Sequence, residues 1–131
     1  MILLDTCAVI WDALDPNKLS TKARKAIDRA DQHNALVLSD ISIWEVAMLV
    51  NKGRIEIDTS AAQFLNLFLQ SRNISVIQIS PEIAELSTHL GAEVSNDPAD
   101  RLIAATSIIH NAQLVTADNK LLESELIDTL W

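Results

Sequence analysis

The sequence predicts an α/β domain with a largely parallel sheet. Short, wholly apolar runs of strand length alternate with longer segments that carry apolar residues at helical spacing, and most helical segments open or close on a capping signal. Composition agrees: two glycines, three prolines and 49% hydrophobic residues supply enough apolar surface to offset chain entropy. Collagen-like, low-complexity and disordered chains are excluded. A length of 131 residues makes a single domain over residues 1–131, without linker or repeat.

Residues 1–4, Met-Ile-Leu-Leu, end at Asp5 and read as a strand buried on both faces. Ser20 opens a helix of about a dozen residues that closes near His33 and Asn34. Residues 35–38 form the second strand. Ser42 and Glu45 have capping-box spacing, which predicts a helix with Trp44, Val46, Ala47, Leu49 and Val50 on its apolar face and a stop at Gly53. A further helix from Ser60 carries Phe64, Leu65, Phe68 and Leu69, and residues 74–79 make the third strand. Ser80-Pro81 and Asp97-Pro98 each put proline at the first helical position; the second pair launches residues 99–110. Residues 113–116 are the fourth strand, and residues 126–131 offer a fifth.

The formal charge is −8, from 18 acidic and 10 basic residues. A protein that holds nucleic acid by bulk charge needs a basic face, so this balance argues against that class. The charge is uneven: residues 1–54 carry seven basic and seven acidic side chains, whereas residues 55–131 carry three and eleven. Lys18, Lys22, Arg24, Lys25 and Arg29 form a local run opposed by Asp28, read either as a solvated helix face or as a small phosphate-contacting patch. Cys7 is the sole cysteine and points to no oxidising compartment, so a cytoplasmic location is expected. The amino terminus lacks the basic segment of a signal peptide, and the longest run without charged residues, 102–117, is too short and polar to span a bilayer.

In a parallel sheet, ligand sites collect beyond the carboxyl ends of the strands. Asp5 and Asp118 stand just after the first and fourth strands, while Glu45, Asp97 and Asp100 occupy expected first turns of helices. Up to five carboxylates therefore converge on one edge. Like charges in a partly desolvated site oppose each other's ionisation, and a hard divalent cation held by oxygen, Mg²⁺ or Mn²⁺, resolves the conflict. Each acid also has a structural role open to it. Glu45 can complete a capping box with Ser42, Asp97 can cap a helix, the helix dipole favours Asp100, and Asp118-Asn119 suits a turn. Asp5 alone has no evident local partner.

The same residues carry a resemblance. Leu-Leu-Asp-Thr-Cys-Ala-Val-Ile-Trp at 3–11, Ser-Asp-Ile-Ser-Ile-Trp-Glu-Val-Ala at 39–47, Asn-Asp-Pro-Ala-Asp-Arg-Leu-Ile-Ala-Ala at 96–105 and Leu-Val-Thr-Ala-Asp at 114–118 resemble, in order, the four blocks of PIN-domain ribonucleases of the VapC toxin type. The resemblance implies a three-layer α/β/α domain with about five mainly parallel strands, a Mg²⁺- or Mn²⁺-dependent endoribonuclease activity on RNA, a cognate antitoxin and a homodimer. It implies Asp5, Glu45, Asp100 and Asp118 as the catalytic and metal-holding set, Asp97 as an additional or alternative metal contact, and Thr6 and Thr116 as polar supports.

The expected chemistry is in-line hydrolysis by a metal-activated water with no side-chain nucleophile; the resemblance implies products with a 5′-phosphate and a 3′-hydroxyl. His33, His89 and His110 lack metal-motif spacing and read as solvated or capping residues. Cys7 reads as a packed small residue, and Trp11, Trp44 and Trp131 as core. The helix with Phe64, Leu67 and Phe68 offers an apolar surface for dimerisation. Two rival classes are an aspartyl-phosphate phosphatase using Asp5 and a metal-binding interaction module without hydrolytic activity. The phosphatase expects an acid where Cys7 stands, and a receiver-like module expects a lysine ending the fourth strand, whereas Lys120 follows Asp118.

Overall fold

The four apolar runs become parallel neighbours. In the computed structural model, which describes residues 1–131, strands β1 (Ile2–Leu4), β2 (Leu36–Ser39), β3 (Ile74–Ile77), β4 (Gln113–Val115) and β5 (Thr129–Leu130) form one sheet in the order β3-β2-β1-β4-β5. Every pairing is parallel, with Leu3 opposite Val37 on one side and Leu114 on the other. The third, fourth and fifth strands are shorter than their apolar runs suggest.

Helices α1 (Thr6–Leu14), α2 (Thr21–Gln32), α3 (Asp40–Asn51), α4 (Ala61–Ser71), α5 (Pro81–His89), α6 (Pro98–His110) and α7 (Asn119–Glu123) make the connections, with a 3₁₀ turn at Pro16–Lys18. Strand alternation divides the core between two faces. Leu3, Val37 and Leu114 point to one face and pack with Ile83, Val94, Ile103 and Leu121 from α5, α6, α7 and their connections. Leu4, Leu36, Leu38 and Val115 point to the other and pack with Val9, Ile27 and Phe68 from α1, α2 and α4. Helix α3 contributes to both, through Ile41 and Ile43. The result is the expected α/β/α sandwich.

Local signals explain most boundaries. Ser20, Ser60 and Ser80 accept from the third residue of their helices, as N-caps do. Asn34 and Asn111 follow α2 and α6 with φ of 54° and 50°, and Gly53 follows α3 with φ 70°. One boundary differs from expectation. Helix α3 starts at Asp40, capped by Ser39, so Ser42 is not a cap and Glu45 lies in the second turn. Ser39, Asp40 and Ser42 all offer side-chain oxygens at this helix start, and the buried end of β2 runs straight into the helix. No helix is long and apolar enough to cross a membrane.

The chain winds outward from β1 through β2 to β3, then returns to place β4 on the opposite side of β1. Beyond the carboxyl ends of β1 and β4, the connections diverge and leave a crevice.

Candidate active site

Asp5 and Asp118 leave the two strands that flank this crevice, and Thr116 ties them together. Asp5 is 3% exposed; its Oδ2 accepts from Thr116 Oγ1 at 2.7 Å and its Oδ1 from the Thr6 amide at 2.8 Å. The same Thr116 oxygen accepts from the Asp118 amide at 3.1 Å. Asp5 therefore has a local partner after all: it is the N-cap of α1, a helix that its position after an apolar strand conceals. Asp118 caps α7 by accepting from Leu121.

Glu45 reaches the cluster through Thr6. Thr6 Oγ1 donates to Glu45 Oε1 and lies 3.0 Å from Ser42 Oγ. A hydroxyl has one proton, so with that proton on the carboxylate Thr6 accepts from Ser42. Ser42 is 1% exposed and acts as the buried anchor of this chain.

The third group comes from the start of α6. Asp97 Oδ1 caps the helix by accepting from the Ala99 and Asp100 amides at 2.8 and 3.1 Å. Buried Ser95 accepts from the Asp97 amide and donates to Asp100 Oδ2. The preceding loop is held by Arg101, whose guanidinium donates to the carbonyls of Ser87, Leu90, Gly91 and Ser95.

All five acids line one cavity of about 410 Å³, together with Thr6, Cys7 and Arg54. Its other wall is Ile10, Trp11, Leu49 and Ile55.

Comparison with known proteins places the chain in one family. The PIN domain family model covers residues 2–124. The chain belongs to the PIN domain family. It is 34% identical over 120 residues to Ribonuclease VapC22 of Mycobacterium tuberculosis, spanning 92% of this chain and 88% of that protein. Among solved structures, VapBC2 from Rickettsia felis bound to a promoter DNA fragment has a similar fold, with TM-score 0.76, 20% identity and coverage of 99% and 98% of the two chains. DNA-bound VapBC from Salmonella typhimurium is similar at TM-score 0.73, 15% identity and coverage of 98% and 96%.

Burial and crowding set the electrostatics of this PIN domain. Burial raises Asp5 above the usual carboxyl range, opposed by the Thr116 and Thr6 bonds and reinforced by Asp118 and Asp97. Asp100 is pushed up to about 7 by burial first, then by Asp5, Asp97 and Glu45. Glu45 is raised by burial first and then by Asp5 and Asp97, against the Thr6 bond. Cys7 is pushed up to about 12 by burial and the surrounding carboxylates, so its thiol is neutral and no nucleophile.

The donor set of the PIN domain fits a hard cation. Asp97 Oδ2, Asp100 Oδ1, Asp118 Oδ2 and Glu45 Oε2 have no hydrogen-bond partner within the chain. All are oxygens, the ligands of Mg²⁺ and Mn²⁺. As they stand, no three acidic, thiol or imidazole groups are close enough together to hold one ion. Helix amides hold one oxygen each of Asp5, Asp97 and Asp118.

Several expectations change in three dimensions. Trp44 is 58% exposed, because α3 packs through Ser42 and Val46 instead. Trp11 lines the cavity and packs on Trp131 with ring centroids 5.5 Å apart. On α4, Phe68 is buried in the core, Phe64 is half-buried and Leu67 is 61% exposed. His33 and His89 make capping contacts with the carbonyls of Arg29 and Glu85, in line with their sequence reading. None of the basic residues from Lys18 to Arg29 lines the acidic cavity; Arg29 borders another, with Met1, Ile2 and Gln113 at the amino ends of strands. The basic side chain at the site is Arg54, which sequence reasoning missed, along with Ser42 and Ser95. Gly53 next to it was the available signal, since a glycine stop fixes the path of the residue after it.

Proposed function

We propose that this PIN domain is a VapC-type toxin: a Mg²⁺- or Mn²⁺-dependent endoribonuclease controlled by a cognate antitoxin. The observation that carries the reading is the convergence of Asp5, Glu45, Asp97, Asp100 and Asp118 on one cavity, in a chain akin to Ribonuclease VapC22. Asp5, Asp97, Asp100 and Asp118 would hold the metal, with Glu45 beside them directly or through water. Bound there, a divalent ion supplies Lewis-acid stabilisation of the scissile phosphate and a lowered pKa for water.

The chain's own residues supply the rest. Thr116 and the Thr6 amide orient Asp5 and favour its ionised form against burial. Thr6 fixes Glu45 through Oε1 and leaves Oε2 free to take a proton from water. Asp100, which holds a proton near neutral pH when uncompensated, releases it when positive charge arrives. The only thiol is neutral and no histidine lines the cavity, which is consistent with water as the nucleophile; products with a 5′-phosphate and a 3′-hydroxyl are what the likeness to VapC-type ribonucleases implies.

The test is Mg²⁺-dependent cleavage of structured RNAs by the parent, Asp5→Asn and Asp100→Asn, with and without EDTA. Both variants are expected to lose activity by at least about a hundredfold; near-full activity in both overturns the reading. If RNA stays intact and an acyl phosphate labels Asp5, the phosphatase class takes its place. Co-purification with the product of the adjacent reading frame tests the antitoxin. Light scattering with Leu67→Glu tests a homodimer through α4.

A further inference from the structure

We propose that the cavity holds a nucleotide subsite beside its carboxylates. Arg54 takes the phosphate next to the scissile one, and Ile55, Leu49, Ile10 and Trp11 seat the attached base. The inference rests on the nuclease reading and names how that site grips its strand.

Arg54 is the only basic residue lining the cavity. Its guanidinium is exposed and makes no hydrogen bond or ion pair within the chain. By contrast, all three ion pairs belong to Arg72, and Arg101 is taken up by carbonyls. An arginine beside five carboxylates that pairs with none of them is left available for an anion from outside. A guanidinium suits a phosphate because its parallel N–H groups match two oxygens.

The position of Arg54 is built by the backbone. Helix α3 ends in a Schellman cap: Gly53, at φ 70°, donates to the Val50 carbonyl, and the Arg54 amide donates to the Leu49 carbonyl at 3.0 Å. The cap pins Arg54 and Ile55 to the end of the helix that carries Glu45. The two sides of the grip, phosphate and carboxylate, therefore share one rigid element.

The apolar wall has no use for a hydrated cation or a phosphate. Ile10, Trp11, Leu49 and Ile55 are all half-buried on this cavity, and Trp11 is braced by Trp131. The part of a nucleotide that gains by covering such a wall is the face of its base.

The test measures RNA binding by fluorescence polarisation in an Asp100→Asn background with Mg²⁺, so that cutting is suppressed. The two probes are a single-stranded RNA oligomer and an oligomer of equal length with abasic ribose units. Arg54→Ala is expected to weaken both probes about tenfold and to lower the salt slope by about 0.7, one phosphate contact on a single strand. Arg54→Lys recovers part of this. Ile55→Ala is expected to weaken the base-bearing probe about fivefold and leave the abasic probe unchanged. Melting temperatures report that each variant is folded. An unchanged affinity and slope for Arg54→Ala, an equal loss on both probes for Ile55→Ala, or no binding of either probe overturns the subsite. Failure of the nuclease reading is distinct: the parent then leaves RNA intact in Mg²⁺ while these binding differences persist.

Discussion

Replacing Asp100 by asparagine should make the metal-free protein more stable, and increasingly so as pH rises. Asp100 is pushed from 3.8 to about 7 by burial and by Asp5, Asp97 and Glu45. Between those values the native state binds a proton that the unfolded chain has released, so stability falls as pH rises. Well below pH 3.8 both states are protonated and the penalty vanishes; well above pH 7 it is complete. A change of this size is about a thousandfold in proton affinity, about 4 kcal/mol at roughly 1.4 kcal/mol per tenfold. Asp100 keeps a solvent-facing side, and screening there reduces the net effect to about 2 kcal/mol. Asparagine keeps the acceptor for Ser95 and removes the charge. In EDTA, thermal melts should therefore show the variant about 6 °C above the parent at pH 8, with the gap closing as pH falls to about 3. Saturating Mg²⁺ should close the gap from the parent's side, because an ion that binds only the native state stabilises it by mass action. A difference that stays constant with pH, or a variant less stable at pH 8, refutes mutual repulsion and leaves Asp100 a plain helix-start residue.

Arg101→Ala should cost about 2–3 kcal/mol and speed amide exchange in residues 90–97, because four carbonyls lose a charged donor; unchanged exchange there would show that the loop holds itself. Arg72→Ala should lower the urea midpoint by an amount worth about 3 kcal/mol. It strands Asp12, whose side chain is 6% exposed, and unties α4 from Asp28 and Asp31 of α2. The pair Arg72→Met with Asp12→Leu should recover most of that loss. Cys7, pushed up to about 12, should resist iodoacetamide at pH 8 until the protein unfolds; rapid labelling of the native state would place a thiolate in the cavity.

Much of the fold is local in origin and was readable for that reason. Apolar runs at residues 1–4 and 35–38 have no polar face and can only be interior strands, and serine or aspartate before proline marks a helix start through backbone chemistry alone. The failures share a cause. Helix α1 was hidden because its cap, Asp5, is also a site residue, so a local role and a functional one fall on the same side chain. Glu45 sits at capping-box spacing from Ser42, yet Ser39 wins the cap because β2 delivers the chain to the helix three residues earlier. Trp44 reads as core by hydropathy, whereas the face of α3 that packs is decided by neighbours 36 or more residues away, such as Thr6.

The acids, their order along the chain and the edge of the sheet at which they gather are legible in the linear chain, since strand and helix ends are dictated by hydrogen bonds between near neighbours. Tertiary structure alone decided how they meet. Thr116 joins Asp5 across 111 positions, Ser42 reaches Glu45 through Thr6, and Arg54 rather than the Lys18–Arg29 run faces the acids. Those contacts depend on the return of β4 to the far side of β1 and on the angle at which α3 leaves β2. Both arise from packing two apolar faces against one sheet, a condition that no short stretch of residues contains.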